Sequence, residues 1–382
     1  MEPTVSAVGS WSGGRYMRFG VPIEEERLAA LLRPGAGIET VITADVYGQG
    51  EADRLTGRAL AGLPRESFCL VGAIGHDFYT GRRAGAKGFP RFTDPALRPP
   101  ERYSDYIRFA VEESLRRLGQ DRFDLLLLHN PDRTGYRSPA VWEEGMAKVK
   151  EEGLADHLGV APGPANGYVL DMIACFERYA GLVEWAMVIY GPLEPWPAEL
   201  ALQAAAAAGV KAITRVIDHG GLLFGDVDPQ ERFPAGDHRS FRPRGWVAQG
   251  LAKVEQLRPY AAQHNLTLLQ LAAAFNLAHP AVRCVVPTLI QEDGPQARPI
   301  EAKRSEVAAL PALAAAGRLA LSAQEVAQIR RIGDNAGCME LKGASPEHSG
   351  PALPDRWEVD GELRELAARH GISPERQLVK LP

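Results

Sequence analysis

Apolar positions along this chain come in short, nearly continuous runs, separated by longer stretches in which they recur every three or four residues. The runs Ile38–Ala44, Ser67–Ile74, Phe123–His129, His157–Ala161, Val183–Tyr190, Val210–Val216 and Val282–Pro287 have the length of strands. Several are almost entirely Val, Ile and Leu, as in parallel strands covered on both faces. Between them lie helical patterns: across Tyr103–Gly119, Ile107, Val111, Leu115 and Leu118 fall on one face. Ser138 followed by Pro139 marks another helix start, and the Ala204–Ala208 run has high helix propensity. An eighth strand is expected near Trp11–Phe19, and eight strand–helix units over this length predict an α/β fold, a (β/α)8 TIM barrel. The competing open doubly wound sheet announces itself by a Gly-rich phosphate turn after its first strand, and Gly13-Gly14 is not GxGxxG.

Two insertions, His76–Glu101 and Asp218–Arg244, follow the third and seventh strands and are rich in Gly, Pro, Arg and aromatics. In a barrel they become long loops on the C-terminal face, over the active site. After the last strand, Arg298–Ala316 and Ser322–Ile332 read as helices, the second opened by a Ser322-x-x-Glu325 capping box. From residue 334 the chain is too polar for a second core. The expected organisation is therefore a barrel over residues 1–335 and a C-terminal extension, 336–382, packing over it as a loop across the mouth and a short helix at Gly361–His370.

Composition narrows the class. The chain has 382 residues, 45% hydrophobic and 24% charged, enough for one large domain with appendages. A net charge of -5 argues against a general nucleic-acid surface and favours a small-molecule substrate. Cys69, Cys175, Cys284 and Cys338 form no CxxC pair and read as reduced thiols. With neither a signal-like N-terminus nor an apolar run of roughly 18 residues, a cytoplasmic protein without a membrane span is expected. Homo-oligomerisation is left open.

Thr43-Ala-Asp-Val-Tyr-Gly48, the helix-like stretch after it with Gly57-Arg-Ala-Leu60, Asp124-Leu-Leu-Leu-Leu-His129, and Ile213-Thr-Arg-Val-Ile-Asp-His-Gly-Gly-Leu-Leu223 occur in the order of the aldo-keto reductases. Over roughly residues 38–335 the chain resembles that superfamily. The resemblance implies a barrel oxidoreductase that reduces a small polar carbonyl or sugar-like substrate with NAD(P)H, NADP being the expected cofactor. It makes Tyr47 the proton donor and His129 the residue orienting the substrate, and it gives Arg215, Gly221, Leu222 and Thr288 to the cofactor. The family's pattern has an Asp where this chain has Ile42 and a Lys where it has Ala73, so the tetrad reads as degenerate. Its carboxamide-binding Ser-Asn pair and Gln fall on Ala161, Pro162 and Met187. A phenol with an ordinary pKa near 10 gains acidity from a nearby cation, so the loss of the Lys bears directly on Tyr47.

Read as residues alone, Tyr47 and His129 end strands and belong at a barrel mouth, the alternatives being a buried Tyr and a hydrogen-bonded core His. Asp45 either shares the Tyr47 side, where it serves as a base, or is a solvated loop acid. His76 and Asp77, beside the vacated Lys position, either replace the lost pair or cap the turn. Lys87, Arg82 or Arg83 could restore the missing charge. Asp218 and His219 before Gly220-Gly221 either approach a ligand or form a turn. Arg82-Arg83 and Arg239–Arg244 suit a carboxylate or phosphate, or plain solvation. No HxxxH or HxH spacing supports a metal. Two further readings stand beside the reductase: a redox-neutral lyase, isomerase or epimerase using Tyr47 and His129 without nicotinamide, and a non-catalytic binding barrel.

Overall fold

A computed structural model describes residues 1–84, 88–163, 168–242, 245–335 and 359–378. Eight strands, β1 (Ala7–Gly9), β2 (Thr40–Ile42), β3 (Cys69–Ile74), β4 (Phe123–His129), β5 (Ala155–Ala161), β6 (Trp185–Ile189), β7 (Lys211–Arg215) and β8 (Val282–Val286), pair in sequence order, every pair parallel. The ring closes where the Val285 amide donates to Val5 O at 2.9 Å, beside a parallel bridge between Ser6 and Val285. This is the (β/α)8 barrel. Seven strands fall where the apolar runs put them. The first does not: Trp11–Phe19 forms a short 3-10 turn and loop, and β1 lies upstream. Its three residues, Ala-Val-Gly, carry too little signal, and Gly9 lacks a side chain because the Trp11 indole occupies that space.

Strand residues alternate between the barrel interior and the helix layer. Ile42, Val71, Ala73, Leu125, Leu127, Ala161, Trp185, Met187, Ile213 and Val286 form the interior cluster, while Val41, Leu70, Leu126, Leu128, Val188 and Val285 pack outward. That parity decides the mouth. His129 follows Leu125 and Leu127 by two-residue steps, and Arg215 follows Ile213, so both enter at the C-terminal end of the interior.

The helix Tyr103–Leu118 buries Ile107, Val111, Leu115 and Leu118 and stops at Gly119, whose φ of 64° suits a residue without Cβ. The Ser322 capping box is formed. The stretch Arg298–Ala316 divides into Ile300–Ala308 and Leu310–Ala315, with Pro311 in the first turn of the second. Residues 336–358, including the segment expected across the mouth, lie outside the described residues. The helix Gly361–Arg369 packs against Val169–Arg178 in the outer layer.

Candidate active site

The Tyr47 and His129 rings meet edge to face at 5.8 Å between centroids, and His76 stands 5.3 Å from His129 on the other side. Trp11, just past the end of β1, meets Tyr47 edge to face at 6.5 Å. Three sequence-predicted residues are thus brought together at one mouth, with Arg215 as the neighbouring charge. Tyr47 leaves the strand through a turn in which its amide donates to Ala44 O at 3.0 Å, and this re-aims the ring inward.

Asp45 does not join them. Before that turn it keeps the parity of Val41 and Thr43, and its electrostatic neighbours are Asp53, Arg117 and Asp77, behind the strands. The two-residue spacing from Asp45 to Tyr47 suggests a shared face, but the chain is no longer extended there. Asp45 is fully buried, and neither carboxyl oxygen has a hydrogen-bond partner of good geometry, the Val46 amide giving only a small downward pull. Burial first, and Asp53 second, push its carboxyl well above the usual carboxylate range.

His76 is held on three sides. Its Nδ1 lies 2.9 Å from Phe89 O and its Nε2 3.0 Å from Asn130 Nδ2, while its own carbonyl accepts from Tyr106 Oη at 3.0 Å. A neutral ring donating from Nδ1 to Phe89 O and accepting at Nε2 satisfies these two bonds, with Arg91 Nη1 3.2 Å from the same Nδ1. Burial, reinforced by Arg91, lowers its pKa to about 3. His76 therefore acts as a fixed wall beside His129. Asp77 caps its turn, accepting from the Tyr79 and Thr80 amides and pairing with Arg98.

Burial also holds His129 well below its ordinary pKa, with His76, Arg215 and Arg91 opposing protonation, and its Nδ1 has no hydrogen-bond partner. Tyr47 is pushed up by burial, and Arg215 is the charge that pulls it back. Arg215 donates from Nη2 to Pro162 O at 3.1 Å, while its buried Nε has no partner. Ile42 and Ala73, at 1% and 3% exposure, sit in the apolar interior with no charge of their own. Arg82 and Arg83 are exposed, and Lys87 lies outside the described residues.

The residues assigned to a cofactor gather at the ends of β7 and β8. The Gly221 amide donates to Asp218 Oδ2 at 2.8 Å and the Thr288 amide to Asp218 Oδ1 at 2.6 Å. Leu222 is fully buried and packs beside Gly250. Of the arginine-rich loop, Arg239 is buried between Asp237 and Glu292, and Arg242 lies near His219 and Glu194 over the Trp246 ring. Arg244 lies outside the described residues.

Sequence reasoning missed Asn130 and Arg91. Asn130, at φ 48°, stands where the chain turns off β4, and an Asn directly after a strand end is a legible turn signal. Arg91, whose Nε donates to Asn130 O, sits in an irregular loop and had no such signal. A pocket of about 460 Å³ lies elsewhere, lined by Tyr190, Glu199, Phe275, His279 and Arg330 among others, and shares no residue with the mouth. Among the described residues, no cluster of three or more His, Cys, Asp or Glu could hold a metal, no helix is long and apolar enough to cross a membrane, and Cys69, Cys175 and Cys284 are free and buried.

The aldo/keto reductase family model matches residues 7–334, and the chain belongs to that family. It is 26% identical over 282 residues to a probable aldo-keto reductase 1 of Glycine max, covering 72% of this chain and 74% of that one. It is 25% identical over 309 residues to a probable voltage-gated potassium channel subunit beta of Oryza sativa subsp. japonica, covering 75% and 85%. Among solved structures, the holo form of an aldo-keto reductase from Bacillus halodurans superposes with a TM-score of 0.64 at 21% identity, over 92% of this chain and 96% of that one. An aldo/keto reductase from Klebsiella pneumoniae, solved with NADP and acetate, gives 0.54 at 20%, over 87% and 95%.

Proposed function

We propose that the protein is an oxidoreductase that reduces a small polar carbonyl or sugar-like substrate with NAD(P)H, at a mouth in which Arg215 takes over the role of the absent lysine. The observation that carries this reading is the Tyr47–His129 pair at 5.8 Å with Arg215 as the one charge among the described residues that lowers the Tyr47 pKa.

The family implies a nicotinamide dinucleotide, and amide donors of the kind its phosphates take are present at the ends of β7 and β8, engaged by Asp218. The Gly221 and Thr288 amides converge on an anion, at present the Asp218 carboxylate, and the Arg215 guanidinium lies beside Tyr47. At the carboxamide end Ala161 and Met187 bring no amide or hydroxyl side chain. A reduced nicotinamide bound there would supply a hydride to the carbonyl carbon. Tyr47 Oη gives its proton to the substrate oxygen, leaving a phenolate that Arg215 stabilises and water reprotonates. His129, kept neutral by its surroundings, can donate one ring N–H to that oxygen and fix its position. Ile42, Ala73 and Leu127 keep water from the floor.

Tyr47→Phe removes one hydroxyl and keeps the ring. In an assay of NADPH consumption with small hydroxyaldehydes and sugars, it should keep its melting temperature and lose about 10²–10⁴-fold in rate. Undiminished turnover would remove Tyr47 from the mechanism. A redox-neutral proton transfer by the same pair is favoured by one observation, that Ala161, Pro162 and Met187 stand where the family's carboxamide-binding side chains are expected. It predicts conversion of substrate without any change in NADPH. We further propose that residues 336–382 form an extension of the barrel rather than a second domain.

A further inference from the structure

The loops after the seventh and eighth strands are where barrels of this architecture frequently hold a phosphate. In this chain both loops already converge on an anion. Asp218, fully buried, accepts the Gly221 amide on one oxygen and the Thr288 amide on the other, at 2.8 and 2.6 Å. Bonds of this kind, from N–H to an ionised acceptor, are among the stronger ones in proteins. The direction of the Gly221 amide is set by packing as well: its φ is 97°, and a Cβ there would come within 3.0 Å of both Glu292 Oε1 and Val227 Cγ2.

A second observation points the same way. Three cations in and beside these loops are matched to acids of the chain: Arg239 to Asp237 and Glu292, Lys303 of the following helix to Asp226 at 2.7 Å, and Arg298 to Glu306 at 3.0 Å, while Arg242 stands 3.8 Å from Glu194. A diphosphate arriving here would find the Gly221 and Thr288 N–H groups taken and these three cations neutralised. It would also meet a carboxylate, and like charges at such range repel.

We propose that Asp218 is the specificity-determining residue of this position: its carboxylate occupies the phosphate-binding amides of Gly221 and Thr288, and phosphate-bearing ligands bind only by displacing it. Naming the dinucleotide as such a ligand rests on the reductase reading, whereas the occupancy of the amides does not. The consequence is a site that binds phosphate weakly in the native chain and strongly once the carboxylate is removed.

The test is calorimetric titration with ADP, which carries the diphosphate and no nicotinamide, so that failure here is separable from failure of the reductase reading. The intact chain should bind ADP no more tightly than about 100 μM. Asp218→Asn leaves a side chain that can accept at one amide only, and Asp218→Ala frees both. Each should bind ADP at least tenfold more tightly, with a circular-dichroism spectrum like that of the native chain. Low-micromolar binding by the native chain would overturn the proposal without any variant. Folded variants that bind ADP no better than the native chain would overturn it equally. A gain for ADP without a matching gain for NADPH would uphold the role of Asp218 while counting against the reductase.

Discussion

Asp45 and Tyr47, two residues apart, face opposite problems. Asp45 is a carboxylic acid buried without a well-aligned partner, its pKa raised chiefly by desolvation. A group whose folded pKa lies above its unfolded value contributes stability that is fully present below the unfolded value near 4. That stability is lost as pH rises toward the folded value. Asp45→Asn removes the titration and keeps the shape, so its melting temperature should exceed that of the native chain at pH 8, with the difference closing on acidification toward pH 4. A variant destabilised equally at both pH values would show that the carboxyl is satisfied after all. Tyr47 needs the opposite treatment, a lowered pKa, and among the described residues only Arg215 provides it. At this scale the sequence made Tyr47, His129 and His76 legible because strand ends carry them. The side taken by Asp45 was not, since it depends on a single turn hydrogen bond from Tyr47 to Ala44.

Among elements, the strands were readable because burial on both faces leaves uninterrupted apolar runs, as in Leu125–Leu128 of β4, every residue of which is buried. β1 was not, being three residues long with a glycine cleared for Trp11. The C-terminal helix Gly361–Arg369 was expected within a residue of its end, but its docking site was not legible. It buries Leu363, Leu366 and Ala367, and it is tied to the outer layer by Asp360 with Arg137, Glu362 with Arg178 and Arg369 with Glu177. Leu366→Ala should cost about 2–3 kcal/mol of docking free energy, toward the low end for buried leucines because the edge of the layer can relax. Hydrogen exchange would then show lost protection across Gly361–Arg369 with β3 and β4 unchanged. Equal loss in the strands would mean that the helix belongs to the barrel's own cooperative unit.

For the whole molecule, alternation along the strands carries the argument from fold to chemistry. The same two-residue step that fills the interior with Ile42, Val71, Leu125 and Leu127 delivers His129 and Arg215 to its mouth, and the loops after β7 and β8 bring Gly221 and Thr288 to a shared anion. Carbonyl reduction at that mouth requires a dinucleotide to bind the chain. Titrating the intact protein and Asp218→Asn with NADPH, followed by its fluorescence, tests this most directly. Saturable one-to-one binding by the native chain is expected, with a dissociation constant below about 1 mM, near −4 kcal/mol, and tighter binding by the variant. No binding by either protein at millimolar NADPH would contradict it.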